Sequence, residues 1–486
     1  MGDTQPKVPV EAGDATHGSA FDGPLGEAYR QALTHLAGLS HRPVGVRATP
    51  AQLREALAGP LPEEPSDPQH VVTALVEACE PGVVATAGGR FFGFVIGGAT
   101  PAALAADWMT SAWDQNAAMY AAAPAAAVVE EVAGTWAAQL LGLPSEASAG
   151  FVTGGQMANF AGLAAARHEV LQRAGWNVET EGLAGAPPIR IMASDGRHET
   201  IDRALRFLGL GTSAVTSVPT DAQGRMDHAA LGRMLAGERG PLIVCAQVGN
   251  VNSGAIDQVG EICQIAHDAG AWVHVDGAFG LWASASPRLR SLVAGVELAD
   301  SWAVDCHKWL NVPYDSGLVF CAHPEAHSAA MGIRAAYLPH GAGSTRDSLD
   351  FNPELSRRAR GFAVYAAIAA LGRQGIADLV ERCCHHARTF ADRLSAHERV
   401  EVLNDVVLNQ VLVRFLAADG DHDGYTRSVL RRVQEEGTSW MGGTTWRGQA
   451  AMRISVSSWV TDEADVDRTV QAVLQCAAAA DHDRPQ

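Results

Sequence analysis

Paired cysteines are missing from this chain. Its eight thiols, at 79, 245, 263, 306, 321, 383, 384 and 476, include no C-x-x-C spacing and lie scattered through apolar runs, which excludes a disulfide scaffold. They read as reduced, buried cysteines of a cytoplasmic protein. Cys383-Cys384-His385-His386 resembles a metal cluster, but adjacent residues on a helix point apart and no second cluster completes a shell, so no metal is expected. Basic residues are also scarce. Against 54 Asp and Glu there are 36 Lys and Arg, a formal charge of −18, which argues against nucleic acid or an anionic membrane surface as partner. No uninterrupted apolar run reaches membrane-spanning length, and the first twenty residues hold Gly, Asp, Pro and Thr where a signal peptide has an apolar core. Neither insertion nor secretion is expected.

What remains is a globular chain, 47% hydrophobic and 19% charged, of 486 residues. That length exceeds what one core organises. Residues 1–85 read as an N-terminal arm, disordered to about 20 and then helical, broken by the Pro-rich segment 59–68. Residues 86–395 read as a large domain and 396–486 as a small C-terminal one that alternates strands with helices.

The chemistry centres on Ala303-Val304-Asp305-Cys306-His307-Lys308-Trp309-Leu310. An apolar run and Trp309 beside Lys308 favour loss of its proton, leaving an amine able to attack a carbonyl carbon. The plainer alternative is a lysine at a strand end, paired with a carboxylate. Against it stands Val273-His274-Val275-Asp276, 32 residues upstream of Lys308, a buried strand ending in an acid. An amine and a carboxylate at two strand ends point to pyridoxal phosphate, which needs a lysine for its aldehyde and an anion to keep its ring nitrogen protonated. It also needs backbone N–H groups for its phosphate and a flat side chain over the ring.

Both are found upstream. Phe151-Val152-Thr153-Gly154-Gly155-Gln156-Met157-Ala158-Asn159 reads as strand, glycine turn and helix start, the helix running to about Arg173, with Gly155 and Gln156 offering N–H groups and the positive helix end. A plain Gly-Gly connection is the alternative. His198 follows a strand at 188–195 and opens a helix, where a ring can stack on the cofactor; a helix-capping histidine is the other reading. Gly88-Gly89-Arg90-Phe91-Phe92-Gly93-Phe94 sets aromatic rings among glycines, suited to close approach by a ligand or second chain, or to a buried turn. Short apolar strands at 242–248 and 273–276 alternate with helices such as 258–269, so the fold class expected is α/β with a mostly parallel, doubly wound sheet, its site at the carboxyl ends of the strands. In Asp276-Gly277-Ala278 the small Ala278 leaves room for a ring. Residues 333–353, with Tyr337, form a loop long enough to be a lid. A long helical region follows from Ser356 to about Ser395.

Taken in order, Phe91-Phe92-Gly93-Phe94, Asp114-Gln115-Asn116, the Gly154-Gly155 turn, His198, His274-Val275-Asp276-Gly277-Ala278, His307-Lys308-Trp309, Ser356-Arg357-Arg358 and Arg453-Ile454-Ser455-Val456 fall as in the pyridoxal-phosphate-dependent group II amino acid decarboxylases, aromatic-L-amino-acid decarboxylases among them. The chain resembles that family over roughly residues 85–465. The resemblance implies the fold type I, aspartate aminotransferase architecture, with a large cofactor domain, a smaller α+β C-terminal domain and an N-terminal helical arm. By the same resemblance Lys308 carries the cofactor, Asp276 partners its ring nitrogen, His198 stacks on it, Gly155, Gln156 and Asp305 sit at phosphate positions, Ala278 lies by the ring, and His307 lies beside it. Tyr337 stands where the family has a lid tyrosine that protonates the substrate carbon, which favours decarboxylation to amine and carbon dioxide over aldehyde formation. The family is dimeric, with Phe91, Phe92 and Phe94 as candidates to reach a partner's pocket. Phe91, Phe92, Phe94, Asn250 and Arg357 are the candidate substrate residues. Gln156 replaces a common serine, Gly277 a common alanine, and Glu199 breaks the usual pattern, so the resemblance leaves the amino acid substrate open, and the aromatic cluster near residue 94 points to an aromatic or bulky apolar one. Transamination, oxidative aldehyde formation, a lyase step or a non-catalytic binding protein on the same fold are the rival expectations.

Overall fold

A computed structural model describes residues 15–333 and 346–482. The chain divides into two compact units, residues 1–88 and 89–486. The first holds helices Ala15–Gly38, Pro50–Leu57 and Pro68–Cys79, and local chemistry starts the last two: Thr49 and Gln52 form a reciprocal capping box before Pro50, and Asp67 caps the helix that Pro68 opens. Helix therefore begins at Ala15, earlier than the composition of the first twenty residues implies.

The second unit is built on a seven-stranded sheet. In chain order its strands are β1 (Ser148–Val152), β2 (Arg190–Ser194), β3 (Val215–Val218), β4 (Leu242–Gln247), β5 (Trp272–Asp276), β6 (Ser301–Asp305) and β7 (Gly317–Cys321). Their spatial order is β1-β7-β6-β5-β4-β2-β3, parallel throughout except that β7 runs antiparallel to both neighbours. All residues of β4, β5, β6 and β7 are buried, the near-continuous apolar pattern of a sheet covered on both faces. Helices Gly155–Arg173, Glu199–Phe207 and Val259–Asp268 connect the strands. A second, antiparallel sheet in order β10-β11-β9-β8 comprises β8 (Val400–Val402), β9 (Gln410–Phe415), β10 (Gly442–Trp446) and β11 (Gln449–Ser455).

Two long helical stretches are interrupted. Residues 101–141 form two helices, Pro101–Trp113 and Pro124–Leu141, because Asp114 takes a left-handed conformation that stops the first. Gly361–Ser395 is long and apolar enough by composition to cross a membrane, but Gly372 breaks it (φ 62°, ψ 178°), and Val364, Ile368, Ile376, Val380 and Phe390 are buried in the core.

Candidate active site

Parallel pairing brings the carboxyl ends of β2, β4, β5 and β6 to one edge, and β1 delivers its glycine turn to the same edge. There Gly155, Gln156, Asn159, His198, Thr200, Gln247, Asp276, Ala278, Phe279, Asp305 and Lys308 line one cavity of roughly 370 Å³ including its mouth. Five separate stretches of sequence thus meet. Register explains the central pair: Asp276 ends β5 opposite Ala303, two residues before β6 ends and five before Lys308.

Lys308 Nζ lies 3.1 Å from Asp305 Oδ2 and 5.9 Å from the centroid of the Phe279 ring. Asp305 is 3% exposed and also accepts the N–H of Gly155. The Gly155 amide, expected at a phosphate position, donates here to Asp305, a carboxylate favoured at a helix N-terminus by the unsatisfied N–H groups there. A Cβ at residue 155 would stand 2.8 Å from Asp305 Oδ2, so only glycine permits this approach. Asp276 Oδ2 accepts from Asn159 Nδ2 (3.2 Å) and Oδ1 from the Ala278 N–H (3.3 Å).

His198 caps its helix and also faces the cavity. Its Nδ1 accepts from the Thr200 N–H (3.3 Å) and lies 2.9 Å from Thr200 Oγ1, capping the helix, while its ring lines the cavity. Burial depresses its basicity, opposed by nearby Asp276. His307 sits behind Asp305, its Nδ1 3.5 Å from Asp305 Oδ1 and 2.9 Å from the Ser316 carbonyl; its ring stacks on Tyr314 at 4.2 Å, and burial lowers its pKa.

The expected substrate residues scatter. Phe91 is buried and stacked on Trp440 at 5.1 Å, and Phe92, fully buried, meets Phe390 edge-on; both belong to the core, the outcome of a buried turn. Phe94, at positive φ, is 60% exposed and lines a wide cleft with His198, Lys308 and Arg453. Asn250 is 1% exposed and ties its own loop together, donating to Gln247 Oε1 and the Gly196 carbonyl and accepting from the N–H groups of Asn252 and Ser253. Arg357, expected to support a substrate carboxylate or a lid, instead forms a buried fork with Glu130 and donates to the carbonyls of Ala117 and Phe151. Tyr337 lies outside the described residues.

Sequence reasoning passed over Asn159, Thr200 and Phe279. Asn159 is one helical turn beyond Gly155 and so shares its face, a signal available from spacing alone.

The donor set suits pyridoxal phosphate: an amine, a carboxylate and an imidazole around one cavity, beside a helix start where Gln156 lines the wall. A family model described as the pyridoxal-dependent decarboxylase conserved domain matches residues 50–416. The chain is 28% identical to tryptophan decarboxylase 1 of Oryza sativa subsp. japonica over 450 residues, 87% of this chain and 86% of that one. It is 26% identical to an aromatic-L-amino-acid decarboxylase of Bacillus atrophaeus, covering 89% and 90%. The crystal structure of Oryza sativa TDC with PLP and tryptamine superposes with a TM-score of 0.89 at 25% identity, over 97% of this chain and all of that one. The chain belongs to the pyridoxal-dependent decarboxylase family, enzymes of the fold type I architecture that use pyridoxal phosphate to decarboxylate amino acids.

Proposed function

We propose that the substrate is an aromatic L-amino acid, converted to its amine and carbon dioxide. The observation that carries this reading is the wide cleft above Lys308, where Phe94 and Trp446 offer apolar walls and Arg453 a cation. The relatives named for tryptophan and aromatic amino acids support it.

When bound, the cofactor's protonated ring supplies an electron sink for the pair left by the departing carboxylate. Asp276 holds the proton at the ring nitrogen. Lys308 would hold the cofactor through its aldehyde. His198, with Nδ1 occupied as an acceptor, carries its proton on Nε2 and donates from there to an anionic group. Arg453 donates to the Val251 carbonyl, its Nε has no hydrogen-bond partner among the described residues, and it lines the same cleft, which suits it to a carboxylate. Tyr337 is the proposed proton donor to the substrate carbon.

Arg453 also favours one rival, since a carboxylate held in the ring plane leads to transamination. A panel of L-amino acids decides: carbon dioxide and amine in equal amounts from tryptophan, tyrosine or phenylalanine support decarboxylation, whereas keto acid, or aldehyde with peroxide, overturns it.

A second copy of the chain is the proposed partner. In the 89–486 unit, Trp108, Met109 and Trp113 are 40%, 44% and 48% exposed on one helix, apolar surface of the kind that pairing of two copies buries. Sedimentation is expected to give a dimer, and Trp113→Glu to weaken it. Eight free thiols, seven of them buried, support a reducing compartment, the cytoplasm.

A further inference from the structure

Beneath the cavity runs a chain of buried polar groups in which each donor has one acceptor. Asn159, His274, Ser301 and Trp272 are 0–1% exposed. Asn159 Nδ2 lies 3.2 Å from Asp276 Oδ2 and 3.0 Å from Thr200 Oγ1. A carboxylate only accepts, so the amide must turn its NH2 that way and its Oδ1 toward His274 Nε2, 2.9 Å off. His274 Nε2 must then carry hydrogen. Burial keeps this imidazole neutral, its pKa down to about 3, so Nδ1 is bare and accepts from Ser301 Oγ at 2.8 Å. Ser301 in turn accepts from Trp272 Nε1 at 2.9 Å.

The packing is specific to this arrangement. A Cβ on Gly162 would stand 2.7 Å from His274 Cε1, so the helix is bare where the imidazole must fit. Thr200, which receives the second N–H of Asn159, has its hydroxyl 2.9 Å from His198 Nδ1. One amide therefore touches the supports of both Asp276 and His198.

We propose that Asn159, held in one orientation by His274, is a positioning residue that fixes the Asp276 carboxylate toward the cofactor's ring nitrogen and, through Thr200, fixes the His198 ring. This rests on Asp276 being the ring-nitrogen partner. Without His274 the amide oxygen loses its buried donor, and the NH2 is no longer held firmly against Asp276 and Thr200.

The experiment measures two things on the holoenzyme: the dissociation constant for pyridoxal phosphate, and the 15N shift of ring-labelled cofactor against pH. Asn159→Leu is expected to weaken binding about tenfold or more, the scale of a lost hydrogen bond to a charged group, and to make the ring nitrogen lose its proton about one pH unit earlier. His274→Leu should do the same. His274→Gln, whose NH2 can donate to Asn159 Oδ1, should recover most of both, a rescue that a space-filling role does not predict. Wild-type binding and titration in folded Asn159→Leu, or equal behaviour of the Gln and Leu variants at 274, overturns the inference. Asp276→Asn separates the two levels: if it leaves the ring-nitrogen titration unchanged, the assignment of Asp276 fails and the inference with it, whereas a shift there with none in Asn159→Leu sinks the positioning role alone. Should the variants fail to fold, 15N-histidine spectra of the wild type decide, the neutral Nε2–H form of His274 supporting the wiring and the Nδ1–H form or an imidazolium refuting it.

Discussion

The Arg357–Glu130 pair is buried on both sides, with Ser348 donating a further hydrogen bond to Glu130 Oε2. Removing one partner leaves the other charge uncompensated in a low-dielectric interior. Arg357→Met is therefore expected to destabilise by about 3–5 kcal/mol, and the double change Arg357→Met with Glu130→Leu to recover much of that, as denaturant melts would show. The pair also explains a failure of local reading. Arg357 sits in a motif shared with a catalytic family, yet nothing within several residues announces that Glu130, 227 positions away, will claim its guanidinium. The same applies to Asn250, which donates to the Gly196 carbonyl 54 positions away as well as to its own loop, and to Phe91 and Phe92, whose setting among glycines is compatible with either a ligand or a core. Lys308, Asp276 and Ala278 were legible because each stands at or just beyond the end of an apolar strand, and strand ends in a parallel sheet share one edge.

Among the elements, the strands at 190–194, 242–247 and 272–276 announce themselves as apolar runs bounded by turns, and the helix from Gly155 by its glycine start. β3 escapes that reading because two of its four residues are exposed and it lies at the sheet's edge. β7 is legible as a strand but not in direction, since its apolar residues are buried alike whether it runs parallel or antiparallel between β1 and β6. The break in Gly361–Ser395 is a backbone requirement at one position. Gly372 adopts φ 62° and ψ 178°, a region reserved for glycine, with nothing within 4 Å of a prospective Cβ. Gly372→Ala is thus expected to cost about 1–3 kcal/mol from backbone strain alone, measured as a fall in unfolding free energy with no loss of cofactor affinity. An unchanged melt would mean the two helical halves can straighten into one.

For the whole molecule, buried histidines set the response to acid. His274 and His327 are fully buried, and burial lowers each from 6.5 to about 3. Below pH 6.5 the unfolded chain gains protons at both positions that the folded chain refuses, so their contribution is full above that pH and lost as it falls toward 3. Asp257 works the other way. Its carboxyl is raised from 3.8 to about 6 by burial, so the folded state takes up one proton there as the pH falls through 6. Two histidines outweigh one carboxyl, and the melting temperature is expected to decline steadily from pH 6.5 to about 4; a flat profile would contradict the burial of both imidazoles.

One covalent bond underlies the catalytic account. Borohydride reduction of the holoenzyme, followed by peptide mass mapping, fixes the cofactor to whichever amine carries it. The expected result is a phosphopyridoxyl mass on the peptide containing Lys308 and none in Lys308→Ala; label on another lysine, or reduction that leaves the peptide at 308 unmodified, would contradict it.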